Sequence, residues 1–163
     1  MEPAADPVLD RTLERFVQGP VSMNVASRDG RNLPAVARAF GCRIPPDRRR
    51  IVVFLHVPRS TALLAALRES GVMALVFSRP STHETYQFKG RFLGTGQLTD
   101  DDRAVAARYR TALAEELGSI GFPPKFTGAM VPEVADDLVA VHFELAEVFD
   151  QTPGPQAGRR RTT

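Results

Sequence analysis

Apolar residues recur along this chain at two spacings, and the spacing changes from block to block. Over residues 6–18, Leu9, Leu13, Phe16 and Val17 share one side of a helical pattern that Gly19-Pro20 stops. Residues 21–27 and 33–43 read as strands joined by a hairpin turn at Arg28-Asp29-Gly30-Arg31, where Asp-Gly is expected to supply the positive φ. Pro45-Pro46 and Arg48-Arg49-Arg50 then make an exposed connection to residues 51–57, whose nearly continuous apolar run suits a strand buried on both faces. An Ala- and Leu-rich helix over 62–69 follows, with Ser60 placed to cap it and Gly71 to end it. Residues 72–78 read as another apolar strand. Pro80-Ser81-Thr82 turns the chain into a long strand over 83–97. Asp100-Asp101-Asp102 open a helix reaching Leu117, with acids where the helix dipole prefers them. Residues 118–132 read as irregular, with room for a turn of helix. Residues 138–150 alternate again, with Val139, Val141, Phe143 and Leu145 on one face and His142 and Glu144 on the other.

About six strands, mostly following one another through turns, against three helices predict a mainly β fold: an antiparallel sheet or barrel with attached helices. At 163 residues the chain is long enough for one good core. Residues 1–150 read as a single domain and 151–163 as a Pro/Gly/Arg-rich tail. The formal net charge of +2 owes three charges to Arg159-Arg160-Arg161, so no body-wide basic field for nucleic acid is expected, and the triple Arg reads as a solvated tail. One cysteine, Cys42, excludes an internal disulfide and is expected as a buried, inert thiol. The absence of a long apolar run or a signal-like start predicts a cytoplasmic protein.

Candidate chemistry concentrates in His83-Glu84-Thr85-Tyr86-Gln87-Phe88-Lys89-Gly90-Arg91-Phe92. At a two-residue period one face carries His83, Thr85, Gln87, Lys89 and Arg91, and the other Tyr86, Phe88, Gly90 and Phe92. A row of donors suits an anion or a polar heteroaromatic ring; a solvated outer sheet face would carry it equally well. Lys89 is the more notable because only Lys89 and Lys125 are lysines among the 21 basic residues. Arg59-Ser60-Thr61 follows a buried strand and opens a helix, where exposed N–H groups and two hydroxyls could cradle a phosphate or simply cap the helix. Arg38 interrupts an apolar strand and needs a partner, a ligand anion or a solvent-facing edge. His56, His83 and His142 show no metal-type spacing, and no nucleophile motif is present. Any catalysis would rest on a cofactor.

These pieces, in this order, resemble the FMN-binding split-barrel family related to pyridoxamine 5′-phosphate oxidase, over about residues 21–149. The resemblance rests on Arg38-Ala39-Phe40-Gly41-Cys42-Arg43, on His56-Val57-Pro58-Arg59-Ser60-Thr61, on the apolar strand 72–77 with Pro80-Ser81-Thr82, and on Thr85-Tyr86-Gln87-Phe88-Lys89-Gly90. It implies an antiparallel split barrel, a homodimer with FMN in the cleft between copies, and an oxidoreductase whose substrate is unidentified. Arg38, Arg59 and Ser60 would lie near the phosphate. Gln87 and Lys89 would lie near the ring, with backbone groups around His56 and Val57 at the isoalloxazine edge. Some relatives bind heme or a deazaflavin in place of FMN, and the alternative readings of this chain are a non-catalytic flavin- or heme-binding module and a cofactor-free structural dimer. The chain departs from the vitamin B6 oxidases in having no Trp and in carrying Ser60-Thr61 where a basic residue follows the helix-start Arg. Pyridoxamine phosphate is therefore not the expected substrate.

Overall fold

The computed structural model describes residues 8–133 and 136–161. Seven strands follow in chain order: β1 (Ser22–Arg28), β2 (Pro34–Arg43), β3 (Arg50–His56), β4 (Val72–Ser78), β5 (Thr85–Gly96), β6 (Leu138–Asp150) and β7 (Arg159–Arg161). They pair antiparallel in the order β3-β2-β1-β4-β5-β6-β7, and β3 also pairs with β6. That last pairing closes the first six strands into a barrel and leaves β7 as an extra strand on β6. The expected mainly β barrel with attached helices is therefore what the chain builds, with one strand and one helix more than the residue pattern suggests.

Alternation decides what fills the barrel. Val25 of β1, Ala37 and Ala39 of β2, Ile51, Val53 and Leu55 of β3, Leu75 and Phe77 of β4, Phe88 of β5 and Phe143 of β6 are buried in one cluster. Phe77 and Phe88 meet edge to face with ring centroids 5.3 Å apart, a spacing favourable for aromatic pairs. Helix α1 (Arg11–Val17) closes one end with Leu13, Phe16 and Val17, and Asp10 caps it by accepting from Leu13 N–H at 2.7 Å. Asp6, where the sequence pattern starts this helix, lies outside the described residues. A 3-10 turn (Val57–Arg59) leads from β3 into α2 (Thr61–Ser70), which buries Leu63, Leu64, Ala66 and Leu67 and ends at Gly71 in the left-handed region. Helix α3 (Asp100–Ser119) lies on the outside of the barrel over Val52, Phe54 and Ala140. The burial of β3 from Ile51 to Leu55 follows: its inward residues meet the core and its outward ones meet α3. Gly41 stands at a bulge in β2 with φ 128°, where an added Cβ would lie 3.2 Å from the Phe54 ring and 3.4 Å from the backbone of Ala106 on α3.

Several local expectations are corrected. His83 is not on the strand: it sits in the preceding turn with φ 60°, and the outward row begins at Thr85. The hairpin after β1 takes its positive φ at Asn32, not Gly30, because Asp29 Oδ1 accepts from the N–H groups of Arg31 and Leu33 and organises a longer loop. Residues 118–132 contain a full helix, α4 (Pro124–Met130), started by Pro in its first turn. Arg48 is half-buried, donating to the Leu9 carbonyl at 3.0 Å, and Arg50 already belongs to β3. Arg159–Arg161 do not trail into solvent. They form β7, and Arg161 pairs with Asp10 at 3.7 Å and lies 5.1 Å above the Tyr86 ring centroid. Cys42 is buried as expected, its thiol donating to the Val17 carbonyl and pushed up to about 12 by burial. Among the described residues no helix is long and apolar enough to cross a membrane.

Candidate functional site

The outward faces of the strands carry the residues the sequence singles out. Register places Arg38 opposite Asn24, Asn24 opposite Val76, Val76 opposite Gln87, and Gln87 opposite Phe149. These five residues form one line across β2, β1, β4, β5 and β6. A parallel line one outward position along runs Val36, Ala26, Ala74, Lys89 and Glu147. Its middle is floored by alanines, which leaves an open groove of about 490 Å³ reaching from Ala26 to Lys89, Arg91 and Glu147.

Arg38 is half-buried and donates to the Ser22 hydroxyl at 2.9 Å. Among the described residues no carboxylate pairs with it. The partner that a charge in this strand calls for is thus a neutral hydroxyl, which leaves the guanidinium's positive charge uncompensated. Its field reaches Tyr109, whose phenol is raised mainly by burial and is drawn partly back down by Arg38.

Ala39 pairs with Leu55, and both point into the core. One position further along each strand, Arg38 and His56 therefore point outward as neighbours. The His56 side chain is 12% exposed, with Nε2 4.0 Å from Asp137 Oδ2, and its Nδ1 is buried without a hydrogen-bond partner. Val57 donates its N–H to the Asp137 carbonyl at 2.9 Å and exposes its side chain. Arg59 is exposed at the end of the 3-10 turn. Ser60 holds the N-cap position of α2 but makes no side-chain cap bond; its hydroxyl is buried and unpartnered, with the residue 2% exposed. Two buried polar atoms without partners within five residues is an unfavourable arrangement unless something supplies hydrogen bonds there.

Gln87 and Lys89 form a separate group. Gln87 Oε1 accepts from Gln151 Nε2 at 3.2 Å, and Lys89 Nζ lies 4.7 Å from the Phe149 ring centroid. Three strand steps separate Arg38 from Gln87, about 14 Å at the usual interstrand spacing. Within one chain the structure brings Arg38, His56, Val57, Arg59 and Ser60 together at the junction of β2, β3 and α2. It does not bring Gln87 and Lys89 to them. Ser22, Phe149 and Gln151 are the site neighbours that residue patterns miss. Ser22 and Phe149 could be found only from strand register, and Gln151 from the path of the chain after β6.

No family model matches the chain and no curated protein matches its sequence. Solved structures do match in fold. HupZ of Group A Streptococcus superposes with a TM-score of 0.55 at 14% identity, covering 93% of this chain and 100% of that one. An F420 reductase gives 0.52 at 11% identity, with 86% and 98% covered. A candidate pyridoxamine 5′-phosphate oxidase from Lactobacillus delbrueckii gives 0.53 at 12% identity, with 87% and 93% covered. The fold of this chain is thus the split barrel that those three proteins share.

Proposed function

We propose that the chain binds FMN on the outer face of its barrel, as a homodimer with the cofactor between copies, and works as a flavin-dependent oxidoreductase. The observation that carries this reading is the pair of unpartnered buried atoms, His56 Nδ1 and Ser60 Oγ, beside the uncompensated Arg38 and the exposed Arg59. Such a group fits a ligand with a phosphate and a hydrogen-bonding ring edge. Arg38, Arg59 and Ser60 would hold the phosphate, and His56 with the Val57 backbone would meet the ring. Gln87 and Lys89 lie about 14 Å along the sheet from Arg38, and in the homodimer the second copy would supply them to the ring. The outer face beside the open groove carries exposed apolar surface for such a contact, with Val36, paired with Ala26, 65% exposed. The fold likeness to an F420 reductase and a candidate pyridoxamine phosphate oxidase supports a flavin-type cofactor.

Bound FMN would supply hydride transfer, the chemistry that no acid–base pair of this chain offers. The chain's own residues bind and orient. Arg38 is anchored by Ser22, which fixes its guanidinium without spending its charge. Gln151 occupies the carbonyl of the Gln87 side chain, so the Gln87 amide N–H₂ is left to donate.

The purified protein mixed with FMN and gel-filtered is expected to keep the visible flavin bands and to run at the mass of a dimer. Arg38→Gln should weaken FMN binding roughly 10- to 100-fold, the worth of a charge-assisted hydrogen bond, with little loss of stability. Reduction of the retained flavin by a nicotinamide donor would support turnover. A colourless protein would remove the cofactor reading, a Soret band would replace FMN with heme, retention of F420 instead would make the cofactor a deazaflavin, and a flavin-loaded monomer would remove the interface.

A further inference from the structure

A second cavity, of about 200 Å³, lies on the outside of the barrel between α3 and Val131, Pro132 and Glu133, which follow α4. The flavin reading does not use it. Phe40 and Leu138 form its barrel side, Val131 closes one end, and Arg103, Ala107 and Arg110 face it from α3. The spacing of those three α3 residues, four and then three, puts them on one face of the helix. We propose that this cavity is a binding site for a small organic carboxylate with a planar apolar body.

The chemistry follows from the walls. Phe40, Leu138, Val131 and Ala107 offer no hydrogen bonds from their side chains, so the body of the ligand is apolar, and the Thr111 hydroxyl in the same wall donates to the Ala107 carbonyl at 3.4 Å. Arg110 is held in place by its own Nε, which donates to the Val131 carbonyl at 3.0 Å. That leaves the two terminal nitrogens as a paired donor edge, which matches the two oxygens of a carboxylate. Arg103 lines the same face, and Glu133 is the one acid among the described lining residues. The volume lies below the range of about 300–1,000 Å³ usual for drug-sized ligands, which favours a single ring.

Benzoate is the direct probe, titrated calorimetrically into the cofactor-free full chain, with benzamide as its neutral isostere. Benzoate is expected to bind roughly 10- to 100-fold more tightly than benzamide, the difference a charge-assisted bond makes. Arg110→Gln should remove that difference. Ala107→Leu, at an exposed helix position where Leu is well tolerated, should fill the cavity and abolish binding of both. No benzoate binding at millimolar concentration, benzoate binding no tighter than benzamide, or binding that survives Ala107→Leu would each overturn the site. The outcome is separate from that of the cofactor. Benzoate bound by a protein that retains no FMN would leave this site standing and remove the flavin reading, and the reverse result would do the opposite.

Discussion

Gly90 is a glycine because no side chain fits at its place on β5. A Cβ there would lie 1.9 Å from the carbonyl oxygen of Glu144 and 2.9 Å from the Phe143 ring. The backbone cannot move aside, since Gly90 is paired on both sides, with Met73 of β4 and Leu145 of β6, next to a bulge that brings β6 close. Gly90→Ala should therefore cost at least the 1–3 kcal/mol of ordinary overpacking, about 3 kcal/mol, in urea unfolding. It should also displace Lys89, so flavin retention would fall with it. His142 is a second residue whose surroundings decide its behaviour. Burial lowers its pKa below the ordinary 6.5, the nearby Arg43 and Arg50 lower it further, and Asp102 offsets part of this. Above 6.5 the imidazole is neutral in both the folded and the unfolded chain, and stability is undiminished. As pH falls below 6.5 the unfolded chain takes up the proton first, so stability declines until the folded pKa is passed. His142→Gln should flatten that decline, as read from urea midpoints on either side of 6.5.

At the scale of elements, α3 is fastened by its first turn. Thr99 and Asp102 form a reciprocal capping box, and the other oxygen of the buried Asp102 accepts from Arg43 Nε at 2.5 Å. One carboxylate thus starts the helix and ties it to the end of β2. Asp102→Ala should cost about 2 kcal/mol, roughly half of it the lost cap; the partly exposed Arg43 limits the charge contribution through solvent screening. The measurement is again urea unfolding, with loss of the α3-covered benzoate site as the local readout. The capping box was legible only as acids at a helix start, because Asp102's second role depends on where Arg43 arrives in space. Strand periods fared best where burial alternates cleanly: β4 and β6 have the limits that the residue pattern predicts. They failed where the stabilising contact is remote. Nothing apolar in Arg159–Arg161 announces a strand, since its pairing rests on the β6 edge and on Asp10 and Tyr86. The candidate site divides in the same way. The outward positions of Arg38, Gln87 and Lys89 follow from a period of two, but their separation follows from register, which loops such as 29–33 set.

The whole molecule is a ring of strands whose last joint is non-local. Most neighbours in the ring are neighbours in sequence, but β1 pairs with β4, and Arg50 to His56 pair with Glu144 to Leu138. Only that joint turns an open sheet into a barrel and gives β3 its second partner. The two ends of the molecule are also drawn together, because β7 lies beside β6 and Arg161 reaches Asp10 before α1.

For a chain made from its N-terminus, the β3–β6 joint sets an order of events. β1 to β5 leave the ribosome before β6 exists, and during that interval β3 presents one unpaired edge of almost wholly apolar sequence. That edge is a template for any other strand, including the same strand on a neighbouring nascent chain. Newly made protein is thus most exposed to aggregation in the time taken to synthesise α3 and α4, and slower elongation through residues 100–137 would lengthen the risk rather than assist folding.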